Sequence, residues 1–205
     1  MKLKIKNKTK WLVYTALMTA LTAVATMFIS IPSTGGGHTN LSDAIIFMTA
    51  VLMDPVAAMI AGGIGTFLAD AITYPTTMLF SLAFHGIEGL AVGLLIRFCI
   101  PKKGNKVAIT LQCVYMFVAG LIMIVGFFAA KSLGWYGNAG DPVAQLASAI
   151  ESLWRNLLQV IISIVVAHML LYPLKLTRLV DKNELYGKLP GPEVTAEEAN
   201  DKNKR

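Results

Sequence analysis

The sequence predicts an all-α membrane protein with six transmembrane helices. Two observations predict this fold class: long apolar segments, and cations that gather between those segments. The chain is 55% hydrophobic and 15% charged, whereas soluble domains carry about 25% charged residues. Apolar segments of about 20 residues are long enough to cross a bilayer. We therefore expect a multi-pass protein of the cell membrane.

The positions of the cations predict the orientation of the chain. Sixteen of the 18 Lys and Arg residues lie within residues 1–10, within 97–106 or after Pro173. Because cationic loops stay on the cytoplasmic side, both termini are predicted to be cytoplasmic. This gives a basic tail over 1–10, a membrane domain over 11–173 and a second tail over 174–205, whose charged end is expected to be disordered. The net charge of +6 indicates contact with anionic lipid rather than nucleic acid, because the cations flank apolar spans.

Breaks in the apolar pattern delimit the six helices. The first is predicted over 11–31 and the second over 40–53, and a Gly-rich loop at 32–39 separates them. The third begins at Pro55, after the turn signal of Asp54, and runs to 72. The remaining three are predicted over 78–100, 107–130 and 143–171. A second long loop covers 131–142, on the same side of the membrane as the first.

Small residues recur at helical spacing in three of these helices. Ala16, Ala20 and Ala23 form a strip on the first helix that another helix can approach closely. The third and fourth helices carry similar glycine and alanine series, for which packing inside the bundle is the simpler interpretation. The strip on the first helix fits either a partner subunit or the protein's own bundle.

Most polar residues of the spans lie towards the outer side, whereas the inner half is nearly all apolar. This asymmetry predicts an outward-facing ligand pocket that is closed below. The candidate substrate-binding residues are Asn40, Asp43, Asp70, His85, Glu88, Trp135, Tyr136, Asn138, Trp154 and Asn156.

Simpler roles are open for several of these candidates. Asn40 and Asp43 can cap the second helix, and Trp135, Tyr136 and Trp154 can be aromatic residues of the membrane interface. His85 and Glu88 are three residues apart, hence on one helix face. The sequence shows too few converging ligands to predict a metal site.

The sequence lacks the features that are typical of several other functional classes. Walker, GxSxG and HExxH motifs are absent, so we predict neither an enzyme nor a bound cofactor. A secondary transporter or channel needs polar residues through the inner half, and the inner half lacks them. A membrane scaffold or regulatory protein stays open as an alternative that requires no ligand pocket.

Five short segments together resemble one known family. Asn40–Ile46, Asp54–Ala58, Ala61–Gly65, Leu68–Asp70 and His85–Leu90 are similar to the substrate-binding S component of energy-coupling factor (ECF) vitamin transporters. The resemblance implies a vitamin pocket near the outer face and a lid from the loop between the first two helices. It also implies a transmembrane coupling subunit that meets the Ala16 and Ala20 surface, and two cytoplasmic ATPases.

The polar candidates favour a neutral, aromatic and hydroxylated ligand. A pyridoxine-like or hydroxymethylpyrimidine-like compound is the first expectation, and riboflavin is an alternative. Pantothenate is less favoured, because its carboxylate requires a cation and the outer half offers few besides Lys131 and Arg155.

Overall fold

The computed structural model describes residues 5–33, 36–99, 105–136, 140–178 and 180–186. Within these ranges the chain is helical apart from one small β-hairpin and its connecting turns. The elements are α1 (Lys8–Phe28), β1 (Ser30–Pro32), β2 (His38–Asn40), α2 (Ser42–Leu52), α3 (Pro55–Thr73), α4 (Met78–Cys99), α5 (Asn105–Ser132), α6 (Pro142–Leu171), a 3₁₀ turn (Leu176–Arg178) and α7 (Lys182–Tyr186).

All six predicted helices form, and five of them are long and apolar enough to cross a membrane. The exception is α2, which has 11 residues. At about 1.5 Å per residue it is about 16 Å long, roughly half the thickness of the hydrocarbon core. Ten of its residues are buried, so α2 lies inside the bundle, where it packs against α1, α3, α4 and α6.

The prediction of a continuous first helix to residue 31 was wrong. Helix α1 ends at Phe28, and the apolar residues that follow enter β1, which pairs antiparallel with β2 so that Ser30 lies opposite Asn40. Hydropathy alone cannot separate the last turn of a helix from an apolar strand. The segment predicted as a Gly-rich loop therefore contributes a hairpin.

Close backbone contact between α3 and α4 confirms the packing interpretation of their glycines. A Cβ atom on Gly62 would lie 2.5 Å from the carbonyl oxygen of His85, and one on Gly89 would lie 2.4 Å from that of Ala58. Real side chains do not tolerate such distances. The glycines thus bring α4 against α3 and set the position of His85.

Asp54 organises one end of the bundle, which we call the α7 end. Its Oδ1 accepts hydrogen bonds from the backbone N–H groups of Val56 and Ala57 and so caps α3. Its Oδ2 accepts from Trp11 Nε1 at 2.5 Å and from the Tyr186 hydroxyl at 2.6 Å. Helices α1, α3 and α7 therefore meet at a single carboxylate.

The start of the predicted second tail is part of the fold. Leu185 of α7 is 1% exposed, and its carbonyl accepts hydrogen bonds from the N–H groups of Lys6 and Asn7. Lys10 of α1 forms an ion pair with Glu184 of α7. Residues 187–205, where the disordered end was predicted, lie outside the described residues.

The alanine strip of α1 faces away from the bundle. Ala16 and Ala20 are exposed and Ala23 is half-buried. The opposite face of α1 packs on α3, where a Cβ atom on Gly65 would lie 2.7 Å from Thr22. Of the two interpretations left open by the sequence, packing of Ala16 and Ala20 inside this bundle is therefore wrong.

Candidate functional site

A polar cavity lies under the hairpin, at the end of the bundle that we call the hairpin end. Its volume is about 30 Å³ with the hairpin in this position. Aromatic and amide groups line it together with titratable side chains. The principal lining side chains are His38, Asn40, Asp70, Ser81, His85, Phe127, Lys131, Tyr136, Asn156 and Gln159.

A buried cluster of Asp43, His85 and Glu88 forms one wall of the site. His85 Nδ1 lies 3.1 Å from Glu88 Oε2 and 3.4 Å from Asp43 Oδ1. Neither carboxylate side chain is exposed. The amide nitrogen of Gln159 donates to both oxygens of Asp43 at 3.0 Å. This network fixes the His85 ring, which lines the cavity.

A second buried carboxylate, Asp70, stands opposite the hairpin. Its Oδ2 accepts hydrogen bonds from Thr77 and Ser81, at 2.8 and 2.6 Å. Its Oδ1 lies 3.5 Å from His38 Nε2. The two hydroxyls hold the carboxylate in place, while Oδ1 has no hydrogen-bond partner among the described residues.

Side chains from α5 and α6 hold the hairpin over the cavity. Arg155 donates to the carbonyls of Ile31 and Pro32 at 3.0 and 2.9 Å, and Ser33 donates to Glu151 at 2.8 Å. Lys131, 1% exposed, donates to the Gly36 carbonyl at 3.3 Å. These are polar bonds at an end of the bundle rather than core packing, so they can break without unfolding a helix.

Comparison with known proteins decides the family. The family model described as "ECF-type riboflavin transporter, S component" matches residues 6–176. The chain belongs to the ECF S-component family. S components are membrane-embedded transport subunits rather than enzymes, and they bind vitamins and work with a membrane coupling subunit and ATPases.

Individual relatives agree with this assignment. The S component is 30% identical to "Thiamine precursor transporter HmpT" of Lactococcus lactis subsp. cremoris over 175 residues, which is 83% of this chain and 90% of the relative. It is 32% identical to an uncharacterized protein of Pyrococcus woesei over 155 residues, 74% of this chain and 93% of that one.

A solved structure shares the fold. The structure titled "Structure and mechanism of the S component of a bacterial ECF transporter" aligns with a TM-score of 0.58 and 17% identity. The alignment covers 85% of this chain and all of that one.

The S component brings most of the predicted binding residues together. Five of them line the cavity: Asn40, Asp70, His85, Tyr136 and Asn156. Asp43 and Glu88 lie directly behind His85 and contact it. Asn40 is not the N-cap of α2, a position that Leu41 holds without a side-chain hydrogen bond, but its Oδ1 accepts from the N–H of Ser42 at 2.8 Å.

Both predicted tryptophans lie away from the cavity. Trp135 is 62% exposed and Trp154 is 53% exposed, which fits the alternative of membrane-interface aromatics. Trp154 borders a separate lateral groove beside the hairpin. Asn138 lies outside the described residues.

Three titratable or amide side chains that line the cavity were not among the predicted site residues: His38, Lys131 and Gln159. His38 belonged to a segment that was predicted only as a loop. Lys131 was considered only as a cation for an acidic ligand. Gln159 was detectable, because it lies three residues after Asn156 on one face of a predicted apolar helix.

The Asp43, His85 and Glu88 cluster is the one group among the described residues whose ligand atoms, all within 4.8 Å of one another, could hold a metal ion. Hydrogen bonds within the cluster and from Gln159 account for this geometry without a cation. We therefore treat the cluster as a polar wall of the ligand site.

Proposed function

We propose that this S component captures a small, single-ring, nitrogen-containing aromatic compound outside the cell, of the hydroxymethylpyrimidine-like or pyridoxine-like class. A coupling subunit and two cytoplasmic ATPases then drive its delivery to the cytoplasm. The observation that carries the proposal is the cavity itself. It combines carboxylate, amide and imidazole groups with the aromatic walls of Phe127 and Tyr136, a combination suited to a ring with polar edges.

The size of the cavity favours a single ring over a larger ligand. Its volume of about 30 Å³ is far below the range of about 300–1,000 Å³ for small-molecule sites, so a larger ligand requires a larger movement of the hairpin. Because the interior is narrow, the hairpin must move away from the bundle even for a small ligand to enter. A thiamine precursor with a single pyrimidine ring requires a smaller movement than a fused-ring ligand, and the name of the relative in Lactococcus lactis, a thiamine precursor transporter, supports that class.

Riboflavin is the second candidate, because the description of the matching family names it. Its three fused rings require more room than the closed cavity provides. A lateral groove of about 480 Å³ lies between the hairpin and α6 and shares Thr39, Asn40 and Gln159 with the cavity. Riboflavin binding would therefore require the hairpin to move so that the two spaces merge.

The arrangement of the two ends supports the predicted orientation. Lys6, Lys10, Arg97 and Lys182 gather at the α7 end, around Asp54, and the cavity is at the opposite end. Since cationic segments stay cytoplasmic, the α7 end faces the cytoplasm and the hairpin end faces outside. We propose that the strip of Ala16, Ala20 and Ala23, of which the first two are exposed and the third half-buried, is where the coupling subunit binds.

Ligand identification tests this function directly. The protein is purified in detergent, and small molecules that co-purify are identified by mass spectrometry. Hydroxymethylpyrimidine, pyridoxine, riboflavin and pantothenate are then titrated by calorimetry and by thermal unfolding. We expect a single-ring compound to bind and to raise the melting temperature. No co-purified compound and no thermal shift with any of the four would favour the scaffold alternative. Preferential binding of riboflavin would replace the single-ring proposal.

A further inference from the structure

An aromatic nitrogen ring already fills part of the site, and it belongs to the protein. The imidazole of His38 stacks on Tyr74, with ring centroids 4.2 Å apart and planes 17° apart. Its Nε2 faces Asp70 Oδ1 at 3.5 Å, and the two side chains are only 4% and 1% exposed. Tyr74 itself does not line the cavity, and the His38 ring lies against one face of its ring.

In this position, His38 does not satisfy the hydrogen-bonding capacity of both ring nitrogens. Asn40 Oδ1 must face the N–H of Ser42, so its amide nitrogen is the group 3.1 Å from His38 Nε2. Nε2 therefore accepts, and a neutral imidazole carries its proton on Nδ1. Burial lowers the pKa of His38, which favours this neutral form.

Two buried polar atoms are left without partners as a result. Among the described residues, His38 Nδ1 and Asp70 Oδ1 have no hydrogen bond. Nε2 cannot donate to Asp70 while it accepts from Asn40. The closed hairpin thus leaves one donor and one acceptor in this site unsatisfied, and buried polar groups are rarely left so.

We propose that the His38 side chain, in the absence of ligand, occupies the subsite that receives the ligand's nitrogen-containing ring. Tyr74 and Asp70 form this subsite. The ligand displaces His38, stacks on Tyr74 and donates a hydrogen bond to Asp70 Oδ1. The identity of the ring as part of a vitamin precursor rests on the proposed function, whereas the subsite and its chemistry do not.

The surrounding residues suit an exchange of this kind. Thr77 and Ser81 hold Asp70 through Oδ2, so the carboxylate stays in place when His38 leaves. His38 lies at the start of a three-residue strand, which can withdraw without unwinding a helix. A ring that carries an amino or hydroxyl group can donate the hydrogen bond that Asp70 Oδ1 lacks.

Rescue by free imidazole tests the subsite without any vitamin. His38→Ala empties the slot, so imidazole should raise the melting temperature of this variant and leave that of the wild type unchanged. Adding Asp70→Asn to His38→Ala should abolish the rescue. His168→Ala is the matched control, because His168 also lies beside a tyrosine ring, Tyr172, at 5.7 Å but bonds a backbone carbonyl. His38→Ser replaces the alanine variant if that variant does not purify. Absence of rescue in the variant that purifies would overturn the subsite.

Competition with the ligand tests the displacement. If His38 fills the slot nine-tenths of the time, its removal tightens the apparent affinity about tenfold. His38→Ala should therefore bind the preferred compound more tightly than the wild type, whereas Asp70→Asn and Tyr74→Leu should bind it more weakly. Weaker binding by His38→Ala would mean that His38 contacts the ligand directly, and it would overturn displacement. Imidazole rescue without binding of any of the four vitamins would refute the proposed function and leave the subsite standing.

Discussion

Both ends of the bundle contain buried carboxylates, but these differ in how many of their oxygens accept hydrogen bonds. At the α7 end, each oxygen of Asp54 accepts two hydrogen bonds, from α3 and from the side chains of Trp11 and Tyr186. At the hairpin end, Asp70 Oδ1, Glu88 Oε1 and His38 Nδ1 are buried without a hydrogen-bond partner among the described residues.

This difference separates a structural carboxylate from a binding one. A buried polar atom without a partner costs about 1–3 kcal/mol, so the hairpin end holds free energy that a ligand can recover. The satisfied carboxylate of Asp54 has nothing further to gain from a ligand. Substitutions at the two ends should therefore affect different measurements.

The largest effect is expected at a surface that belongs to neither end. Replacing both Ala16 and Ala20 with leucine should abolish uptake, because bulky side chains prevent close approach of the coupling subunit. Ligand affinity and melting temperature should stay at wild-type values. Uptake is measured in cells and affinity on purified protein, with the exposed Ala147 of α6 changed to leucine as the control. Unchanged uptake would remove the strip from the interface.

The next largest effect is on stability at the α7 end. Asp54→Ala removes a helix cap and two further hydrogen bonds, and it leaves Trp11 without its acceptor. We expect a loss of about 3 kcal/mol in the free energy of unfolding, with ligand affinity unchanged. Asp141→Ala is a matched control, since Asp141 caps α6 in the same way before Pro142, and it should cost about 1 kcal/mol. Equal losses in the two variants would show that the Asp54 contacts with α1 and α7 contribute nothing.

Substitution of Glu88 should weaken ligand binding without a loss of stability, which is the opposite of the result expected for Asp54→Ala. Glu88→Met keeps most of the side-chain volume but removes the hydrogen bond that orients His85. Affinity should fall about tenfold, which corresponds to about 1.4 kcal/mol and lies within the range for the loss of one hydrogen bond. The melting temperature should hold or rise, because an unsatisfied buried oxygen is removed. Unchanged affinity would make Glu88 a structural residue like Asp54.

The smallest effect is expected for Tyr186→Phe. This change removes one hydrogen bond to Asp54 and keeps the packing of α7. The free energy of unfolding should drop by about 1 kcal/mol, without an effect on ligand affinity. Thermal unfolding of the variant with and without ligand measures both quantities. A weaker affinity would show that the two ends are coupled.

Hydropathy and turn residues predicted the helices well because both act locally. Pro55 and Met78 were placed correctly as helix starts, and the sixth helix ends at Leu171 as predicted. The hairpin was missed because its pairing depends on contacts across the chain: Arg155 lies more than a hundred residues from the carbonyls it bonds. The docking of α7 was missed for the same reason.

The site was predicted in part. The type of a residue indicates how deeply it is buried better than it indicates which cavity or surface its side chain faces. Asp70 and His85 are ionisable residues within apolar helices, and such residues face the protein interior. Tryptophan is stable both in pockets and at the membrane surface, so the sequence could not place Trp135 or Trp154. The role of His38 depends on which nitrogen bonds Asn40, and only the folded hairpin determines that.

The most direct test of the central claim is the calorimetric affinity of the purified protein for hydroxymethylpyrimidine and pyridoxine, measured for the wild type, Glu88→Met and Asp54→Ala. The account predicts micromolar or tighter binding of one of these compounds to the wild type, equal binding to the Asp54 variant and clearly weaker binding to the Glu88 variant. Failure of both compounds to bind, or equal loss of binding in the two variants, would contradict it.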